Sequence, residues 1–198
     1  MLELTIALIV FFIPLSISPG PGNMFFAANG ARYGTRATLP AFTGYHVACW
    51  VIVAFAGWGL AGLIERFPTA FAITQYIGAA YVAYLGWTLL RAGTSSAVGE
   101  AQPASFLDGA VLMTFNPKAH VIIVLLLTQF MATPNMSPAV LAIWISTVIT
   151  LTNMVCFMFW IGLGDQIAAR FRDEKHARLL NRVFGTVLIL VAFWMVLR

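Results

Sequence analysis

Two interruptions break otherwise apolar segments of this chain, Ser18-Pro19-Gly20-Pro21-Gly22 and Phe115-Asn116-Pro117-Lys118. Pro19 and Pro117 lie 98 residues apart in a chain of 198, so the sequence is punctured at matching places in its two halves. Proline removes a backbone donor and clashes with the preceding helical turn, and glycine resists helix, so each run must leave carbonyl and amide groups unpaired at the break. In hydrocarbon such groups are costly unless protein, water or a bound solute satisfies them. Broken membrane helices at corresponding positions of two halves point to a transporter's central binding site.

The membrane setting follows from 61% hydrophobic residues, 9% charged residues and a mean hydropathy of +0.89. The net charge of +4 does not suggest nucleic acid, because most cations sit in loops beside apolar runs. No polar stretch is long enough to fold separately, so a single transmembrane domain over residues 1–198 is expected. Glu3 is the only charge before the first apolar run, and that run is expected as a mature helix rather than a cleaved leader. Cys49 and Cys156 lie singly in apolar runs without CxxC or Cys/His spacing, as buried, inert thiols.

A hydrocarbon core about 30 Å thick takes roughly 20 helical residues to cross. Six segments qualify: Leu2 to Gly34, Ala37 to Ile64, Thr69 to Leu90, Ala104 to Ala132, Pro138 to Leu163 and Leu179 to Leu197. The first and fourth are too long for one straight crossing, as a split helix requires. Polar connections fall at Glu65 to Pro68, Arg91 to Pro103, Thr133 to Pro138 and Asp165 to Arg178. Ser137 followed by Pro138 has the form of an N-cap and first helical residue, so the fifth segment is expected to start there.

With the N-terminus outside, Arg32, Arg36, Arg91 and the five cations between Arg170 and Arg182 fall on the cytoplasmic side, against Arg66 and Arg198 opposite. That bias of eight to two sets the orientation and leaves both termini outside the cytoplasm. Three crossings per half force the second half to enter the membrane inverted. The expected fold is therefore an all-α, polytopic integral membrane protein of six transmembrane helices. It comprises two inverted three-helix repeats, approximately 1–91 and 104–198, with the first and fourth helices broken.

At each break the next half-helix begins with free amides and the positive end of its dipole, which suits a carboxylate. Candidates are the amides of Gly22, Asn23 and Met24 on one side and of Lys118 and Ala119 on the other. Carbonyls freed ahead of each break suit an ammonium group, so a zwitterion fits the pair. The substrate site is accordingly expected at Pro19, Gly20, Pro21, Gly22 and Asn23, and at Asn116, Pro117 and Lys118. The bland alternative is two structural kinks filled by water or packing.

Lys118 carries a charge into the fourth segment, where it would neutralise the substrate carboxylate, pair with Asp108 or snorkel to water. Asn116 offers a donor and an acceptor to substrate, or caps the broken helix. Asp108 stands about three turns away, as a helix cap or as a coupling group. Asn153 either lines the path or joins helices. His46 and His120 are candidate proton relays, or ordinary packing residues. No metal-ligand spacing assembles around them. Small residues recur at Gly30, Gly34, Gly44 and Ala48, and close helix packing and homodimerisation both follow from that pattern. Gly57 to Gly62 matches GxGxxG, but it ends an apolar run instead of following a strand, and no cofactor is expected.

The run Ser18 to Asn23, with Gly30, Gly34, Gly44 and Gly57 to Leu60, resembles the first half of the lysine exporter and homoserine/threonine exporter family (LysE/RhtB). Gly78 to Trp87 looks like that family's third helix, and Phe106 to Gln129, centred on Asn116-Pro117-Lys118, like its fourth. The likeness covers nearly the whole chain. It implies a bacterial inner-membrane exporter of amino acids or close derivatives, driven by the proton gradient, with the two break motifs as its functional core. Ala48 stands where the family often has a second glycine, Cys49 where it often has a polar residue, and Asp108 where a basic residue is common.

The expected function is secondary-active export of an amino acid, its partners being that small molecule and the lipid bilayer. A basic substrate should require a buried carboxylate, and Asp108, near the cytoplasmic edge, is the only candidate in a segment's interior, so a neutral amino acid is favoured. An enzyme is not expected: thiol-disulfide chemistry needs cysteines at the breaks, and HExxH and GxSxG are missing. A passive channel or a structural membrane protein is the remaining alternative.

Overall fold

The computed structural model describes residues 2–57, 102–131 and 136–170 continuously, and separate positions between 73 and 91 and between 179 and 193. Regular structure among the described residues is entirely helical. Five elements are continuous: α1 (Leu2–Ile17), α2 (Pro21–Phe55), α3 (Phe106–Thr114), α4 (Pro117–Phe130) and α5 (Pro138–Arg170). Positions 79, 80, 82–84, 86 and 87 are helical, as are 185–190, within the third and sixth expected crossings. The connection at 65–68 and most of that at 171–178 lie outside the described residues, as do positions 58–62 of the GxGxxG match.

The residues of α1 divide cleanly between two surroundings. Leu2, Ile6, Val10, Ile13 and Ile17 form one exposed stripe at helical spacing, while Leu8, Phe12 and Ser16 form a buried one. In water an exposed aliphatic stripe would be a liability; against lipid it is the ordinary outer face. The same division runs along α5, where Val140, Leu151 and Val155 face out and Leu141, Ile145 and Ile149 face in. Pro21–Phe55 and Pro138–Ala169 are each long and apolar enough to cross a membrane, and Phe106–Thr114 with Pro117–Leu127 makes one such element bent by 61°.

α2 is not straight. Gly34 leaves the helix at φ 78°, ψ 167°, a left-handed backbone that glycine adopts without a side-chain penalty. The rings of Phe26 and Tyr45 are 5.5 Å apart. A straight helix would separate these positions by about 28 Å at 1.5 Å per residue. The chain thus doubles back at Gly34, and α2 is two limbs packed side by side.

Both breaks occur where the sequence placed them. Ser18 to Gly20 separate α1 from α2, and Phe115 and Asn116 separate α3 from α4. Ser137 caps α5 as expected, its hydroxyl accepting from the Val140 amide at 3.3 Å. The far end of α5 corrects the sequence reading. Asp165 was expected to open a loop, but the helix continues to Arg170. At 33 residues α5 runs about 50 Å, longer than a hydrocarbon core of about 30 Å, so the helix has length enough to continue past the first charge.

α2 packs most extensively against α5 and then α3, and α1 packs against α5 and α4. Two glycine pairs set these approaches. A Cβ on Gly30 would strike the carbonyl of Ile161, and one on Gly164 that of Ala27, so the first limb of α2 and α5 meet backbone to backbone. Gly44 and Gly109 do the same for the second limb and α3, against Phe106 and Ala41. Gly86 and Gly185 are also in contact, a Cβ on each falling within 2.8 and 2.7 Å of the other's carbonyl oxygen.

Candidate functional site

The C-terminal end of α1 should expose its last carbonyls, and each has a donor. Ser18 returns its amide to Pro14 (3.3 Å) and its hydroxyl to Leu15 (2.8 Å). The Asn23 amide donates to the Ser16 carbonyl at 2.9 Å, and the Trp160 indole N–H to that of Ile17 at 3.1 Å. The Lys118 ammonium donates to the carbonyl of Ser18 and, at 3.4 Å, to Oδ1 of Asn23. The carbonyls ahead of the first break thus each accept from one of this chain's own donors.

Past that break the first limb of α2 begins at Pro21, and Met24 is the first amide to find an intrahelical acceptor, the Gly20 carbonyl at 2.9 Å. The amides of Gly22 and Asn23 precede it and have no carbonyl behind them in the helix. At the second break Asn116 is the N-cap, its Oδ1 accepting from Ala119 at 3.4 Å. That amide is therefore committed locally. The other end of the Asn116 side chain donates to the Tyr45 hydroxyl at 3.1 Å, joining the second break to the second limb of α2.

Residues of both breaks line one cavity of about 40 Å³, room for a few water molecules. Its polar groups are Ser16, Asn23, Tyr45, Asn116, Lys118 and Asn153, with Cys49 beside them. Apolar walls come from Phe12 and Leu15 of α1, Met113 of α3, Ile122 and Ile123 of α4, and Ile149 and Phe157 of α5. Lys118 is the one charged residue in this lining. Gly20 makes room for it: a Cβ there would lie 2.5 Å from the Lys118 Cδ.

Asn23, Asn116, Lys118 and Asn153 of the expected residues line the cavity, and Gly20 and Gly22 abut its walls. Asn153 accepts from the Ser16 hydroxyl at 2.5 Å, and its nitrogen lies 3.3 Å from Nε2 of His46. His46 is buried behind the cavity wall, outside its lining. Asp108 sits in a capping box with Ser105, accepting its amide and hydroxyl at 2.8 and 2.7 Å, and Lys118 bonds elsewhere. His120 meets the Thr114 carbonyl at 2.7 Å, away from the lining. Among the described residues no cluster of three metal-ligating side chains occurs.

Sequence reasoning passed over Ser16, Tyr45 and Asp165. Ser16 lies two residues before the first break and Tyr45 beside Gly44 and His46, and both signals were legible. Asp165 reaches across from α5 to accept the Thr35 amide at 3.1 Å and hydroxyl at 2.7 Å. It thus caps the second limb of α2 immediately after the Gly34 reversal.

A family model for LysE type translocators matches residues 13–198. The chain belongs to that family. Among its curated relatives is an uncharacterized membrane protein of Vibrio cholerae, 32% identical over 92% of this chain and 91% of its own. A leucine efflux protein of Enterobacter sp. is 28% identical over 90% of this chain and 87% of its own. A homoserine/homoserine lactone efflux protein of Salmonella typhimurium is 27% identical over 89% and 88%. No solved structure matches. A LysE type translocator matched over nearly its whole length is a transport protein, and both break motifs fall inside the matched span.

Proposed function

We propose that this translocator exports a neutral amino acid with an apolar side chain, bound as a zwitterion between the two breaks and expelled at the expense of the proton gradient. The observation that carries the reading is Lys118, a lone cation in a largely apolar cavity where both broken helices meet. Two of its three donors are engaged among the described residues, which leaves one for a carboxylate. The Tyr45 hydroxyl accepts from Asn116 and keeps its own proton for the same purpose. The amide N–H groups of Gly22 and Asn23 add the positive end of a helix dipole. The substrate ammonium then goes to the side-chain oxygens of Asn153 and Ser16, which line the cavity and each keep a lone pair beyond the bond between them.

The apolar walls suit an aliphatic side chain, and the lining holds no carboxylate for a second ammonium. The relatives named for leucine and homoserine efflux agree with a neutral substrate. Movement would follow from rocking of two inverted three-helix repeats, approximately 1–91 and 104–198, about this site. Three features support the repeat: the 98-residue spacing of the breaks, the crossed glycine contacts of the first limb of α2 with α5 and of the second limb with α3, and the meeting of Gly86 with Gly185. The bond from Thr35 to Asp165 gathers Arg32, Arg36 and Arg170 at one end, in keeping with a multi-pass protein of the bacterial inner membrane whose termini lie outside the cytoplasm.

Proteoliposomes preloaded with labelled leucine, lysine or aspartate, with and without an imposed pH gradient, test the proposal. Leucine should leave fastest, and faster with the gradient. Movement of lysine alone would overturn the substrate assignment. Leucine efflux that saturates with neither concentration nor gradient would mark a passive channel instead.

A further inference from the structure

Along the cavity wall a series of hydrogen bonds joins four helices. Nδ1 of His46 lies 2.7 Å from the Phe42 carbonyl, and its Nε2 lies 3.3 Å from Nδ2 of Asn153. Oδ1 of Asn153 accepts from Ser16, the Ser16 carbonyl accepts from Asn23, and Oδ1 of Asn23 accepts from Lys118. A carbonyl can only accept, so Nδ1 carries the proton of a neutral ring and Nε2 accepts from the Asn153 amide. That tautomer fixes the orientation of the Asn153 amide and of the Ser16 hydroxyl, while the Ser16 carbonyl independently sets that of Asn23.

From these contacts we infer that His46 is the coupling residue, and that a proton on Nε2 and a substrate ammonium at Asn153 and Ser16 exclude one another. The inference rests on the transport reading above. A protonated Nε2 faces the Asn153 amide donor to donor, so the amide must turn over and give its oxygen to the imidazolium. Its nitrogen then points at Ser16, whose hydroxyl must accept and release its own proton toward the cavity. The wall that offered two oxygens to an ammonium now offers donors. Binding of the ammonium holds the amide in its first orientation and so favours the neutral ring. This is reciprocal linkage between two ligands, and competition of this kind is what exchange of a proton for a substrate requires.

The surroundings of His46 leave this switch unopposed. On its own helix it packs beside the rings of Phe42 (4.3 Å) and Tyr45 (5.4 Å), with the Cys49 thiol one turn on. From α5 it meets Phe157 at 5.5 Å and Asn153, and the carboxylate of Asp165 lies twelve residues along from Asn153, about 18 Å. α1 presents Ser16, α3 carries Asp108 in its capping box with Ser105, and α4 presents Lys118 across the cavity. No hydrogen-bond partner of His46 among the described residues is a carboxylate that would fix its charge.

The test compares wild type with His46→Gln and His120→Gln in proteoliposomes, reading both gradient-driven leucine efflux and leucine exchange at equal pH. His46→Gln should exchange leucine but lose stimulation by the gradient, while His120→Gln keeps both. In wild type, apparent leucine affinity should weaken by up to about tenfold per pH unit below the titration midpoint of His46, the limit for one competing proton, and the slope should vanish in His46→Gln. Gradient-driven efflux by His46→Gln at the wild-type rate would overturn the assignment to His46 while sparing the transport reading. Leucine transport by wild type without any response to the gradient would overturn proton coupling itself. Should His46→Gln fail to insert, wild type with labelled histidine serves: leucine must shift the titration of the His46 imidazole, assigned through His120→Gln and His176→Gln. An unmoved His46 titration would overturn the inference.

Discussion

The Lys118 ammonium donates to the carbonyl of Ser18, exactly 100 positions away in sequence and one residue past the end of α1. That contact draws the second break against the first, and it explains how a cation is held inside the apolar layer. The broken end of α1 supplies a carbonyl with no partner in its own helix, and the lysine supplies a donor to it. Each defect satisfies the other, and the place where they meet is hollow.

Tyr45→Phe should weaken both binding and stability. It removes the acceptor of a buried Asn116 amide, and an unsatisfied buried donor costs about 1–3 kcal/mol. Thermal unfolding in detergent, followed by tryptophan fluorescence, should show a lower midpoint than wild type, and leucine should protect the variant less. An unchanged midpoint would mean the Asn116 contact contributes nothing.

Two glycines predict opposite outcomes for the same substitution. Gly109→Ala must push α3 away from the Ala41 carbonyl and should destabilise by about 1–3 kcal/mol, as overpacking does. Gly162→Ala meets nothing within 4 Å and lies mid-helix in α5, where alanine is better than glycine by about 0.5–1 kcal/mol. The unfolding midpoint should fall for the first and hold or rise for the second.

Most of the skeleton was readable because membrane chains announce themselves through what they cannot hide. Pro19, Pro21 and Pro117 forbid regular hydrogen bonding wherever they stand, and Ser137-Pro138 starts a helix through local chemistry alone. The use made of each freed group was not readable. Whether the Ser18 carbonyl is satisfied by Lys118 or by a substrate depends on which helices touch, as does the partnership of Asn116 with Tyr45. Asp165 shows the same limit: its charge marked it as loop, whereas its contact with Thr35 makes it part of a helix.

Asp165→Ala should release the start of the second limb of α2. Loss of a helix N-cap costs about 0.5–2 kcal/mol, and Asp165→Asn, which keeps an acceptor, should cost less. The ordering of the three unfolding midpoints checks this directly. If Asp165→Ala melts with wild type, the bond to Thr35 is incidental.

The decisive measurement is leucine counterflow in proteoliposomes, competed by 4-methylpentanoate, which lacks the amine, and by isopentylamine, which lacks the carboxylate, for wild type and for Lys118→Met. Wild type should exchange leucine and be inhibited by neither analogue as well as by leucine itself. Lys118→Met should insert but exchange leucine far more slowly than wild type, and inhibition of the remaining exchange by the carboxylate analogue should fall most. Leucine exchange by Lys118→Met at the wild-type rate would contradict a substrate site built where the two broken helices meet.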